Sequence, residues 1–115
     1  MSDVTIYHNP RCTKSRATLA LLEARGVKPK VVEYLIAPPA ATELRAIVRK
    51  LGIRPEQLLR KGEDIFKEKY AGKPLSDAEW IEAMAKNPIL IERPIVVRGD
   101  KAVIGRPPEN VNALF

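Results

Sequence analysis

Cysteine and histidine each occur once in these 115 residues, as Cys12 and His8. A single thiol excludes an internal disulfide. Even with the one imidazole it falls short of the three or four nitrogen and sulfur ligands of an ordinary zinc site, so no metal is expected. Long hydrophobic runs are also missing: no apolar stretch approaches the ~20 residues of a membrane-spanning helix, so no membrane role is expected. The opening "MSDVTIYHNP" holds no basic segment followed by a long apolar stretch, so a secretory signal is not expected either. A lone thiol is safest in a reducing compartment, and the chain reads as cytoplasmic. Aromatic residues are scarce: one tryptophan, three tyrosines and two phenylalanines, too dispersed to stack bases. Twenty basic against fourteen acidic residues leave a formal charge of +6, yet no basic run exceeds the pairs Arg49-Lys50 and Arg60-Lys61. That scatter argues against a nucleic-acid partner and suits a small anionic substrate.

Hydrophobic residues make up 45% of the chain, enough for one compact core, and the length predicts a single domain. Val4 to Tyr7 is a short β-rich run ending at the turn signal Asn9-Pro10. Ala17, Leu21 and Ala24, with Leu22 beside them, predict the inner face of a helix that stops at Gly26. "KVVEYL", Lys30 to Leu35, is a second strand, so the first third is a βαβ unit with a parallel pair and a right-handed crossover. After Pro38-Pro39, Leu44, Ile47, Val48 and Leu51 recur at helical spacing up to Gly52. Pro55 opens a short helix through Arg60. Ser76 and Glu79 form a capping box, and the helix behind it turns Ile81 and Met84 inward and stops at Asn87-Pro88. Residues 40 to 87 thus read as an all-helical insertion without a strand, too tightly joined to be a separate domain. "PIVV" and "KAVIG" flank Arg98-Gly99-Asp100 as a hairpin. That tripeptide matches a cell-adhesion motif, a coincidence of turn chemistry here. Pro107-Pro108 start a terminal helix toward Leu114. The order is β-α-β, helical insertion, β-β-α: an α/β fold with a mixed sheet.

Cys12 falls between the first strand and the first helix, where unpaired N–H groups and the positive end of the helix dipole favour a thiolate. A free thiol titrates at about 8.5, and such positions lower it to roughly 3.5–7.5. Arg11, Lys14 and Arg16 are read as pushing the same way. Ser15 makes Cys12-Thr13-Lys14-Ser15 a C-x-x-S form of the C-x-x-C redox motif. Its hydroxyl is placed to donate to sulfur but forms no disulfide. His8 has two readings, a hydrogen-bonding structural residue at a strand end or a modulator of the thiol.

The chain order, the position of Cys12 and the Arg93-Pro94 dipeptide ahead of the third strand resemble the thioredoxin-like fold, in which that proline is typically cis and faces the active thiol. Four separated stretches are more specific: "IYHNPRCTKSRATL" at Ile6 to Leu19, "LLRK" at Leu58 to Lys61, "NPILIERPIVV" at Asn87 to Val97 and "IGRPPE" at Ile104 to Glu109. Together they resemble the glutaredoxin-linked arsenate reductase family (ArsC type). The family pattern after the cysteine is Gly-Thr-Ser-Arg. Here it reads Thr13-Lys14-Ser15-Arg16, which resembles the branch with Cys-x-Lys-Ser at the active site.

The resemblance implies that Cys12 is the nucleophile, that His8 assists its ionisation, and that Arg60, Arg93 and Arg106 hold the oxyanion. Guanidinium forks suit tetrahedral oxyanions, and Arg93 and Arg106 each precede a proline that restricts their backbone direction. The implied reaction is reduction of arsenate to arsenite. With no second cysteine, the electrons come from outside: glutathione as co-substrate, no tightly bound cofactor, and glutaredoxin as partner to a monomer. Two alternatives remain at this point, a glutathione-dependent thiol reductase without arsenate activity and an Spx-like redox-sensing binding protein.

Overall fold

The computed structural model describes residues 4–115. Four strands form one sheet: β1 (Val4–His8), β2 (Lys30–Glu33), β3 (Ile95–Arg98) and β4 (Lys101–Ile104), in the order β2-β1-β3-β4. β1 and β2 run parallel, whereas β1–β3 and β3–β4 are antiparallel. The helix α1 (Thr13–Ala24) makes the crossover between the parallel pair. The sheet is mixed and the fold thioredoxin-like. β3 and β4 turn at Gly99-Asp100, where Gly99 takes a φ of 59°. That left-handed value is open to glycine at no steric cost.

The chain divides into two compact units: residues up to Ala37 together with Arg93–Phe115, and Pro38–Glu92. In the first, Val4, Ile6, Leu22, Val96, Val111 and Leu114 form a buried cluster, with Leu19, Leu21, Val27 and Val103 packed against it. Apart from Val27, which follows α1, these come from β1, α1, β3, β4 and the C-terminal 3-10 helix Pro108–Leu114, so α1 and that segment share the work of covering the sheet. The second unit holds α2 (Ala41–Leu51), α3 (Asp64–Lys69) and α4 (Asp77–Lys86), with 3-10 turns at Pro55–Leu58 and Pro88–Leu90. Leu44, Ile47 and Val48 of α2 are buried, and Gly52 closes the helix in the left-handed conformation expected of a C-terminal glycine. Both halves of the Ser76–Glu79 capping box form.

Five details differ from the sequence expectations. Ala17 and Ala24 are exposed; the buried residues of α1 are Ser15, Thr18 and Leu22. The reason is chemical: the first two turns of α1 bury hydroxyls that find polar partners, so apolar spacing misreads its inner face. The Pro55 helix ends at Leu58, short of Arg60. The helical stretch contains a bridge, Leu59 to Ile91, because Arg60 N–H donates to the Leu90 carbonyl and Glu92 N–H to that of Leu58. α3, only six residues, carried no readable periodicity. The terminal helix is of the tighter 3-10 type.

One close approach joins α1 to the ends of β3 and β4. Gly105 N–H donates to the Pro94 carbonyl at 2.8 Å, and the buried Thr18 hydroxyl lies 2.8 Å from the Lys14 carbonyl and 3.2 Å from that of Gly105. A Cβ at position 105 would stand 2.6 Å from Thr18 Oγ1 and 2.9 Å from Pro94 Cγ. Gly105→Ala is therefore expected to lower the unfolding free energy by about 1–3 kcal/mol, the usual penalty of overpacking. An unchanged urea midpoint would show that the contact is slack.

Candidate active site

Cys12 precedes α1 in an extended conformation, φ −95° and ψ 124°, which is the N-cap position. Its backbone is fixed on both sides: Cys12 N–H donates to the Asn9 carbonyl at 3.0 Å, and Arg16 N–H donates to the Cys12 carbonyl at 3.0 Å. The Asn9 side chain accepts from Arg11 N–H, closing the turn between β1 and α1. An N-cap side chain faces the N–H groups of the second and third helical residues, here Lys14 and Ser15.

Register brings the arginines to the same end of the sheet. Tyr7 of β1 is paired with Ile95, and Ile95 with Ile104. Arg93, just before β3, and Arg106, just after β4, therefore both lie beside the loop that leaves β1. The Arg93-Pro94 bond is cis, as the fold resemblance implies, and so is Arg106-Pro107. Arg106 Nη1 stands 3.9 Å from Cys12 Sγ and 3.5 Å from the Arg93 carbonyl. The Arg93 guanidinium is hydrogen-bonded to the same sulfur.

Partial burial pushes the Cys12 thiol up, but the Ser15 N–H, the Arg93 guanidinium and the Lys14 N–H outweigh it and hold the thiol below its ordinary value. Burial pushes Arg93 down in turn, and the Cys12 sulfur and the Tyr34 phenol more than compensate, holding the guanidinium above its ordinary value. The expected contribution of Arg11, Lys14 and Arg16 side chains is not what lowers the thiol. Lys14 acts through its backbone, the Arg16 guanidinium donates to the Pro10 carbonyl, and the decisive charge comes from Arg93.

Ser15 is fully buried, and its hydroxyl turns away from the role the C-x-x-S spacing suggested. Its oxygen accepts from Asn9 N–H at 3.0 Å and lies 2.6 Å from His8 Nδ1. Ser15 Oγ and His8 Nδ1 therefore share one hydrogen bond, in which the imidazole tautomer sets which of the two donates. Burial lowers His8 from 6.5, the nearby Glu33 carboxylate opposes this, and Arg16 assists it. His8 thereby fixes Ser15, and it is the Ser15 backbone N–H that favours the thiolate. Among the described residues no three His, Cys, Asp or Glu side chains gather into a metal-holding group.

Arg60 belongs to the helical unit. Its Nε pairs with Glu63 at 3.1 Å and its Nη1 with Glu92 at 2.8 Å. Within the sheet unit the structure thus brings together Cys12, Arg93 and Arg106, with His8 and Ser15 behind them; within the helical unit Arg60 is paired with two carboxylates. Tyr34, Thr18 and Gly105 were missed from sequence. Tyr34 looks like an ordinary core tyrosine, while the glycine directly before Arg106 was a readable signal of close packing.

A model of the ArsC family matches residues 7–114. The chain belongs to the ArsC family. ArsC-family relatives match along nearly all of it. An uncharacterized Escherichia coli K12 protein, YfgD, is 53% identical over 110 residues, 94% of this chain and 92% of its own. An arsenate reductase of Neisseria meningitidis is 45% identical across the whole of both chains. The solved structure of an arsenate reductase from Vibrio cholerae superposes with a TM-score of 0.96 at 46% identity, covering 99% of this chain and 98% of that one.

Two variants probe this ArsC-family site. Arg93→Ala removes both a hydrogen bond and a charge from the thiolate, so the pH midpoint of iodoacetamide alkylation at Cys12 should move up and the rate at neutral pH should fall; an unmoved midpoint would discard Arg93 as the activating group. Ser15→Ala leaves a buried imidazole nitrogen and the Asn9 N–H unsatisfied and should cost about 1–3 kcal/mol in urea unfolding.

Proposed function

We propose that this protein is a monothiol arsenate reductase that draws its electrons from glutathione and glutaredoxin. The observation that carries the reading is the convergence of Arg93 and Arg106 on a depressed Cys12 thiol. Two guanidinium groups beside a thiolate serve a tetrahedral oxyanion and a sulfur nucleophile at once. The arsenate reductases among its relatives supply the substrate class.

In the proposed cycle the Cys12 thiolate attacks arsenic and an arsenate oxygen leaves as water after taking up protons, giving a covalent S–As(V) adduct. A glutathione thiolate then attacks the Cys12 sulfur. The S–As bond breaks with its electron pair passing to arsenic, so arsenic is reduced to As(III) and released as arsenite while Cys12 is left in a mixed disulfide with glutathione. Glutaredoxin attacks the glutathione sulfur and returns Cys12 as thiolate. With one cysteine in the chain, the resolving thiol has to be external. The setting is the cytoplasm, where glutathione keeps thiols reduced, and the working form is a monomer. Arg93 and Arg106 hold the anion, and Arg60 is the third guanidinium that the family resemblance implies.

The test is a glutathione- and glutaredoxin-coupled assay. Wild-type protein should turn over arsenate, and Cys12→Ser should abolish it; turnover by the serine variant would refute the nucleophile. Arg60→Ala should cut arsenate turnover by an order of magnitude or more while barely changing reduction of a glutathione mixed disulfide. Equal losses on both substrates would favour a general thiol reductase instead.

A further inference from the structure

The sheet order gives Cys12 two different flanks. β3 and β4 lie to one side of β1 and bring Arg93 and Arg106; β2 lies to the other. On the β2 side is a trough of about 230 Å³, lined by His8 at the end of β1, by Asn9, Pro10 and Arg11 of the cysteine loop, by Glu33 at the end of β2, and by Leu35 and Ile36 beyond it. Leu35 and Ile36 are unusually open for their type, at 42% and 79% exposure. The Arg11 guanidinium and the Glu33 carboxylate are opposite charges on the trough's two walls; Glu33 also acts on the neighbouring His8 imidazole, and neither Arg11 nor Glu33 forms a salt bridge among the described residues.

A monothiol site needs a place for its second thiol, and the oxyanion arginines already occupy one flank. The trough's features fit a small zwitterion with an aliphatic middle: a cation for a carboxylate, an anion for an ammonium, and hydrocarbon between. Glutathione has that chemistry, with an α-ammonium at one end, a glycine carboxylate at the other and the thiol between them. We propose that this trough is the glutathione subsite, with Arg11 taking a carboxylate, Glu33 the α-ammonium, and Leu35 and Ile36 packing on the peptide between. The assignment rests on the reading that an external thiol resolves the Cys12 adduct. It adds that recognition of that thiol is built into the β2 flank, one residue from the nucleophile.

The experiment has two arms. In the first, kcat/KM for glutathione is divided by kcat/KM for 2-mercaptoethanol, a thiol with no charge for the trough to read. The Arg11→Gln/Glu33→Gln double variant should lower that ratio at least tenfold, and an unchanged ratio overturns the subsite. In the second, S-methylglutathione, which has no thiol to react, is titrated into reduced wild-type protein and followed by amide NMR. Shifts should centre on Arg11, Glu33 and Ile36; shifts confined to other residues, or none, overturn it. Binding there by a protein that does not reduce arsenate would uphold the subsite and sink the arsenate reading. Arsenate turnover with an unchanged ratio would do the reverse.

Discussion

A cysteine sulfur that is partly withdrawn from water ought to hold its proton more tightly, because burial penalises the charged form. Here the Arg93 guanidinium reverses that tendency, together with the first N–H groups of α1. The dependence is mutual, since the same sulfur holds Arg93 above its ordinary value against its own burial. The surrounding architecture serves this pair. The register Tyr7–Ile95–Ile104 sets the start of β3 and the end of β4 beside the β1 exit, and the glycine-only contact of Gly105 with Thr18 and Pro94 ties both arginine-bearing segments to the helix that carries the thiol.

The buried polar groups behind Cys12 form a separate layer with a different task. His8, Ser15 and Asn9 satisfy one another: the Ser15 oxygen accepts from the Asn9 N–H and is hydrogen-bonded to His8 Nδ1. Such a set specifies one loop conformation, because removing any member strands the others without water. The chain's only histidine is bonded to Ser15, whose own N–H lies against the sulfur. Charge and geometry are divided between the two sides of the loop, with arginines on the β3–β4 flank and the Arg11–Glu33 trough on the β2 flank.

Much of this was legible in the sequence, and the failures share a cause. The parallel βαβ start, the hairpin at Gly99-Asp100, α2 and the Ser76 cap were readable because each depends on local chemistry: alternation, turn residues or helical apolar spacing. The inner face of α1 was not, since Ser15 and Thr18 are buried for their hydrogen bonds, and hydrophobic periodicity is blind to those. Cys12, Arg93 and Arg106 were readable from motif and strand order. Tyr34 was not, because a buried tyrosine gives no sign in sequence that its phenol lies against a functional guanidinium. C-x-x-S spacing likewise specifies which residue is near the thiol but not which of its atoms faces it: the Ser15 backbone N–H acts on the sulfur, and the Ser15 hydroxyl is hydrogen-bonded to His8 and Asn9.

The claim that the first N–H groups of α1 and the Arg93 guanidinium together hold the Cys12 thiol below its ordinary value is most directly measured by ¹³C NMR titration of Cβ-labelled Cys12 in the wild-type protein. The account requires a single ionisation with its midpoint below that of a free cysteine thiol titrated alongside. A midpoint at or above that of the free thiol would mean that burial wins over the helix N–H groups and the guanidinium, and would contradict the account.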